Sequence, residues 1–216
     1  MQRRLSRGCS HRPGFTVAEL LVSVMILGLI SVATVTSLVT SQQADQLATA
    51  ARVLAADLRA QQSGAITAQN LKTCTDASAK KIVCENSTAA CTDACTSLPP
   101  YGIGLHLTKT SSTYDFFGDV DASKNEWKET DATEVIKRRA FASVGGQNVV
   151  VDDLITTASQ PSIDVAFQRQ NGTMVIDGCS GACASPVSLR IVLRHTVSNA
   201  TTEVDLNSYT GRISIP

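Results

Sequence analysis

Twenty-five consecutive residues, Phe15–Val39 (FTVAELLVSVMILGLISVATVTSLV), contain a single charged side chain, Glu19. As an α-helix at about 1.5 Å per residue the stretch extends roughly 38 Å. That exceeds the roughly 30 Å hydrocarbon core of a bilayer, so residues 15–39 are predicted to form a transmembrane helix. Arg3, Arg4, Arg7 and Arg12 precede it in a leader, residues 1–14, that holds no acid. Basic flanks stay on the cytoplasmic side, which places everything beyond about residue 40 outside the cytoplasm. A cleaved secretory signal fits poorly. Its apolar region runs roughly 7–15 residues and leads straight to a small-residue cut, whereas the nearest such site, Ala48-Thr49-Ala50, lies well past the apolar run. A plain signal anchor explains the run but not Glu19, because a carboxylate within a membrane costs several kcal/mol unless it is paired or protonated.

The overall balance of 19 basic and 19 acidic residues conceals this asymmetry; without residues 1–14 the chain carries 15 basic and 19 acidic residues. Such a chain lacks the basic excess of a general nucleic-acid binder. With 43% apolar residues it has the material for a core, which sets it apart from disordered chains.

Helical periodicity continues past the apolar run. In residues 42–62 (QQADQLATAARVLAADLRAQQ), Leu47, Ala51, Leu54 and Leu58 recur at spacings of four, three and four, one stripe on a helix. Asp45, Arg52, Asp57 and Arg59 fall mostly off it. One helix is predicted from about Thr16 to Ser63, roughly 70 Å long, with Gly64 as its stop. The stripe is read as the face that docks on the C-terminal domain; fewer than three heptads argue against a coiled coil.

From about residue 70 the pattern turns to period 2. Tyr101–Leu107, Tyr114–Phe117, Val135–Phe141, Ser162–Gln168, Thr173–Ile176, Val187–Thr196, Thr202–Leu206 and Arg212–Ile215 read as strands. Asn171-Gly172 marks a hairpin. Residues 72–100 read as an irregular loop. The predicted class is α+β: a long N-terminal helix over residues 15–64, packed against an antiparallel β-sheet domain over 65–216.

Beyond Cys9 in the leader, the chain has Cys74, Cys84, Cys91, Cys95, Cys179 and Cys183. An even set beyond a membrane segment suits disulfides in an oxidising compartment. The C-x3-C spacings of 91–95 and 179–183 differ from the C-x2-C pairs of zinc ribbons. Six cysteines allow fifteen connectivities; local closures 74–84, 91–95 and 179–183 are the expectation.

At Gly14-Phe15-Thr16-Val17-Ala18-Glu19-Leu20-Leu21 the sequence resembles the type IV prepilin N-terminus: a short basic leader ending in Gly, then Phe, then an acid at the fifth mature position. The resemblance implies cleavage by prepilin peptidase between Gly14 and Phe15, N-methylation of Phe15, and an assembly role for Glu19. Cleavage creates an amine at Phe15. In a filament of staggered helices Glu19 would meet a neighbour's Phe15 amine, and pairing two buried charges removes two desolvation penalties together. The C-terminal part is similar to minor pilins and pseudopilins of the GspH/FimT type. The similar residues are Phe117-Gly118-Asp119-Val120-Asp121, Asn125-Glu126-Trp127, Phe167…Asn171-Gly172 and Thr210-Gly211-Arg212-Ile213. The implied partners are the prepilin peptidase, other pilins or pseudopilins through the N-terminal helix, and the inner-membrane assembly platform. The implied location is the bacterial inner membrane, single-pass, and then a type IV pilus or type II secretion pseudopilus.

The sequence holds no G-x-S-x-G, P-loop, H-E-x-x-H or complete G-x-G-x-x-G motif, and His106 and His195 lie far apart. No enzyme and no cofactor is therefore expected. Asp119, Asp121 and Asn125 form an oxygen-rich stretch that a side-chain-capped turn explains; calcium is the alternative. Some members of the resembled family take up DNA through a C-terminal Gly-Arg-x-Arg run. Here Arg212 matches and Ser214 replaces the second Arg, while Arg190, Arg194 and Lys137–Arg139 supply charge elsewhere. Two alternatives to a plain filament subunit thus stand: a DNA-binding pilus subunit and a monomeric membrane-anchored binding module.

Overall fold

Helix α1 spans Val17–Ile66. The computed structural model describes residues 16–77, 81–84, 91–120, 134–169, 171–177 and 188–216. Chain contacts separate residues 1–42 from a second compact unit, 43–216.

Within the first unit the helix surface is apolar and solvent-facing on all sides. Its large side chains, from Val17 to Val39, are 46–78% exposed, and its most apolar 18-residue window has a mean hydropathy of 2.3 with no residue buried. A helix that is apolar all round suits hydrocarbon rather than water. Several of its hydroxyls are satisfied internally. Ser23 Oγ donates to Glu19 O, Ser31 Oγ to Leu27 O and Thr40 Oγ1 to Thr36 O, at 2.7–3.0 Å. Hydroxyls bonded back to the preceding turn bring no unpaired polar group into lipid.

In the second unit the stripe does what its spacing predicts. Leu47, Ala50, Ala51, Leu54, Ala55 and Leu58 are buried in one cluster with the sheets. Full burial of a Leu such as Leu54 stabilises by about 1.5–3 kcal/mol. The helix runs past Gly64. Its stop is a Schellman closure, with Gln69 N–H donating to Gly64 O at 3.0 Å and Ala68 N–H to Ala65 O at 3.2 Å. Ala68, at φ 51°, occupies the left-handed position. Gly64 is small for another reason: an added Cβ would lie 2.9 Å from Ile103 Cδ1.

Among the described residues, the second unit also has three antiparallel sheets. The smallest comprises β1 (Leu71–Thr75), β2 (Lys81–Val83) and β3 (Thr96–Leu98), in the order β2-β1-β3. The five-stranded sheet uses β4 (Gly102–Thr108), β5 (Thr113–Asp119), β6 (Val135–Ala140), β8 (Ser162–Gln168) and β9 (Met174–Asp177), ordered β6-β5-β4-β8-β9. The four-stranded sheet uses β7 (Val149–Ile155), β10 (Ser188–His195), β11 (Thr201–Asn207) and β12 (Arg212–Ser214), ordered β12-β11-β10-β7. The class is α+β, as the periodicities predict. Strand β10 alternates as expected, with Leu189, Ile191 and Leu193 buried and Ser188 and Arg190 exposed.

Two expectations need correction. The stretch 72–100 contains most of the small sheet; in β1 the buried positions after Leu71 are Thr73 and Cys74, β2 buries the consecutive pair Ile82 and Val83, and β3 is exposed, so no alternation shows in the sequence. Strand β7 was absent from the predicted set. A bulge opposite Val192/Leu193 places Val151 and Asp153 against consecutive partners and leaves Asp152 over, which shifts the inward parity from Val151 to Leu154.

Candidate functional site

The helix start is built by a reciprocal cap. Glu19 N–H donates to Thr16 Oγ1 at 3.2 Å, and Thr16 N–H donates to Glu19 Oε2 at 3.0 Å. This is a capping box, and the Thr16 hydroxyl adds a second bond to the same oxygen at 3.1 Å. Glu19 therefore has a local structural role as well as its place as the lone charge in the apolar run. The Thr-x-x-Glu spacing that signals the cap is plain in the sequence. Gly14 and Phe15 lie outside the described residues.

The docked half of the helix is held by a polar network as well as by its stripe. Asp57 accepts Tyr114 Oη at 2.6 Å and Arg139 Nη1 on both carboxylate oxygens, at 2.6 and 2.5 Å. The Arg139 guanidinium also lies 5.3 Å from the centre of the Phe116 ring, a cation–π contact. Burial, reinforced by the Asp57 hydrogen bond, pushes the Tyr114 phenol far above its ordinary range. Further along, Arg59 donates to Ile213 O at 2.9 Å. Near residue 46, Ser198 N–H donates to His195 Nδ1, which leaves Nε2 to donate to Gln46 Oε1 at 3.2 Å. His195 is a buried strut between helix and sheet.

The cysteines in the small sheet pair as Cys74–Cys91 and Cys84–Cys95, with Cα separations of 5.7 and 6.3 Å. The expected closures 74–84 and 91–95 are therefore overturned. Strand register supplies the reason: Cys74 lies opposite Ile82, whereas the Cys84 amide bonds to Lys72 O, so the two cysteines are offset along the hairpin. Cys179 and Cys183 lie outside the described residues.

Of the cations named for DNA, Arg190 is engaged by Asp205 at 3.0 Å and Glu203 at 3.1 Å; the hydrogen bond it donates to Asp205 holds it further towards its charged form. Arg194 is engaged by Asp152 at 2.6 Å. These acids already neutralise two of the three arginines. Arg212 is exposed on β12 and lines a depression of about 460 Å³ together with Arg190, Asp205, Asn207, Ser188 and Ser214. In the calcium stretch, Asp119 is buried, and Asp121 and Asn125 lie outside the described residues.

Register also assembles a group that no sequence motif announces. His106 Nδ1 lies 2.6 Å from Asp164 Oδ1, and Thr108 Oγ1 lies 3.1 Å from His106 Nε2. The order acid–imidazole–hydroxyl is that of a nucleophilic triad. Acyl transfer also needs free donors facing the developing oxyanion, and the amide following Thr108, that of Lys109, already bonds to Pro161 O. The pairing serves as a cross-strand clasp, with His106 on β4 opposite Asp164 on β8.

No protein-family model matches the chain, and neither the curated proteins nor the solved structures provide a match.

Proposed function

We propose that this chain is a non-enzymatic filament subunit of the type IV pilin-like kind, a minor pilin or pseudopilin. It enters the inner membrane with its leader inside, loses residues 1–14 to prepilin peptidase, and joins a pilus or secretion pseudopilus through its N-terminal helix. Work for assembly comes from the machine's cytoplasmic motor, not from this chain. One observation carries the reading: an apolar helix surface exposed on every side, with one carboxylate in its first turn. A solitary anchor gains only the helix cap from that acid, whereas a bundle of staggered copies also gains a register-setting ion pair. Glu19 Oε2 is used by the cap, and the carboxylate retains a second oxygen for a neighbour's amine.

Two substitutions separate the cap from the ion pair. Glu19→Gln keeps a side chain that serves in a capping box but removes the charge; Glu19→Ala removes both. Both variants are expected in the membrane at wild-type level and cleaved, yet lost from sheared filaments or crosslinked complexes. Wild-type recovery of the Gln variant would reduce Glu19 to a helix cap and remove its assembly role.

A further inference from the structure

The four sulfurs of Cys74, Cys84, Cys91 and Cys95 all lie within 4.8 Å of one another. That spacing is close to the edge of a tetrahedral thiolate site, about 3.8 Å for metal–sulfur bonds near 2.3 Å. We propose that, with both disulfides reduced, these four side chains form a tetrathiolate site for a soft divalent cation of the zinc class. The same sulfurs cannot serve both states, so disulfides and metal are alternatives.

What gathers the sulfurs is largely independent of the S–S bonds. Cys74 sits in β1, and Cys84 directly follows β2, its amide tied to Lys72 O at 2.9 Å. The segment 91–95 is bound to β1 by its own polar contacts. Thr92 N–H and Oγ1 both donate to Thr75 O at 2.8 Å. Asp93 accepts Thr75 N–H at 2.5 Å and Thr75 Oγ1 at 2.9 Å. Beyond Cys95 the chain enters β3, paired with β1 from Leu71↔Leu98 to Thr73↔Thr96. Cleaving the disulfides leaves this frame in place, and each sulfur needs to move by only about an ångström to reach tetrahedral spacing. An all-sulfur donor set selects zinc, cobalt or cadmium over calcium and magnesium. Four thiolates around a divalent ion carry net negative charge; the basic residues on the same sheet are Lys72 and Lys81. Cys91 and Cys95 are exposed, so reductant and metal have access; Cys74 closes the buried side.

The test uses the full chain in detergent, carrying Cys9→Ser, Cys179→Ser and Cys183→Ser so that no other thiol competes. A water-soluble phosphine reduces it without oxygen: each disulfide takes up two electrons and two protons, and the phosphine leaves as its oxide with oxygen from water. Cobalt(II) is then titrated in. The expected result is one equivalent per chain, with intense thiolate-to-cobalt charge transfer and the visible bands of a tetrahedral four-sulfur site. Zinc should displace the cobalt, and Cys95→Ser should lose the four-thiolate spectrum. Far-ultraviolet circular dichroism is followed in parallel. A reduced chain that keeps its β signal but gives no such spectrum overturns the proposal. So does a β signal lost on reduction and not restored by cobalt, and so do bands that persist in Cys95→Ser.

Discussion

Asp57→Ala would remove the one carboxylate shared by Tyr114 and Arg139. Tyr114 is 1% exposed, so its hydroxyl would lose a charged partner in a place water does not reach, a cost of about 1–3 kcal/mol. The side chains of Arg139 and Asp57 are 23% and 14% exposed. Their ion pair lies between the surface case, worth up to about 1 kcal/mol, and the buried case, where removing one partner costs about 3–5 kcal/mol; solvent screening brings it to about 1–2 kcal/mol. The sum is roughly 3 kcal/mol. For a unit of this size 1 kcal/mol moves the melting temperature by about 2–4 °C, so Asp57→Ala should melt roughly 6–12 °C lower. Tyr114→Phe alone should cost only about 1 kcal/mol, because Arg139 still holds Asp57. The double variant should be no less stable than Asp57→Ala, since it leaves no orphaned hydroxyl, and that non-additivity is the signature of a shared network. Thermal and urea unfolding of the full chain in detergent, followed by circular dichroism, supplies the values. A shift under about 2 °C for Asp57→Ala, or strict additivity in the double variant, would refute this account of how the helix is held.

Two further predictions concern the small sheet. Proteolysis and mass spectrometry without reduction should recover linked peptides 74–91 and 84–95; peptides linked 74–84 or 91–95 would contradict the register argument. The Thr75 amide and hydroxyl hydrogen bonds hold the Asp93 carboxyl below the usual carboxylate range. The group therefore contributes stability that is present above about pH 4 and is lost as pH falls through its lowered folded value. Hydrogen-exchange protection of the Thr75 amide should fall over that acid window, and Asp93→Asn should weaken the protection already at neutral pH. Protection unchanged in acid and in the variant would dismiss the contact.

The helix and the C-terminal sheets were legible because their signals are local. The stripe Leu47, Ala51, Leu54, Leu58 needs only spacing, and β10 needs only alternation. Strand β7 was hidden by its bulge, which breaks period 2 at Asp152 in a way that only the partner strand reveals. The small sheet was hidden because β2 and β3 are only 3 residues long and, in β1, Thr73 and Cys74 fill inward positions that a pattern search expects to be aliphatic. The cap at Thr16 and Glu19 was present as a spacing of three residues, overshadowed by the cost of an acid in an apolar run. The Asp57 network could not be read at all: Asp57 lies 57 residues from Tyr114 and 82 from Arg139, and nothing local relates them. Likewise, an even set of cysteines argues for disulfides, but pairing depends on the offset of Cys84 against Lys72.

The proposal that the chain is a processed filament subunit is tested most directly at its N-terminus. Protein extracted from the membrane of cells that carry a prepilin peptidase is subjected to N-terminal sequencing and intact-mass analysis, beside a Gly14→Leu variant. The account predicts a chain that begins at Phe15, with a methylated amine, and a variant that keeps residues 1–14. A mature chain beginning after Ala50, or a wild-type chain that retains its leader beside an active peptidase, would contradict it.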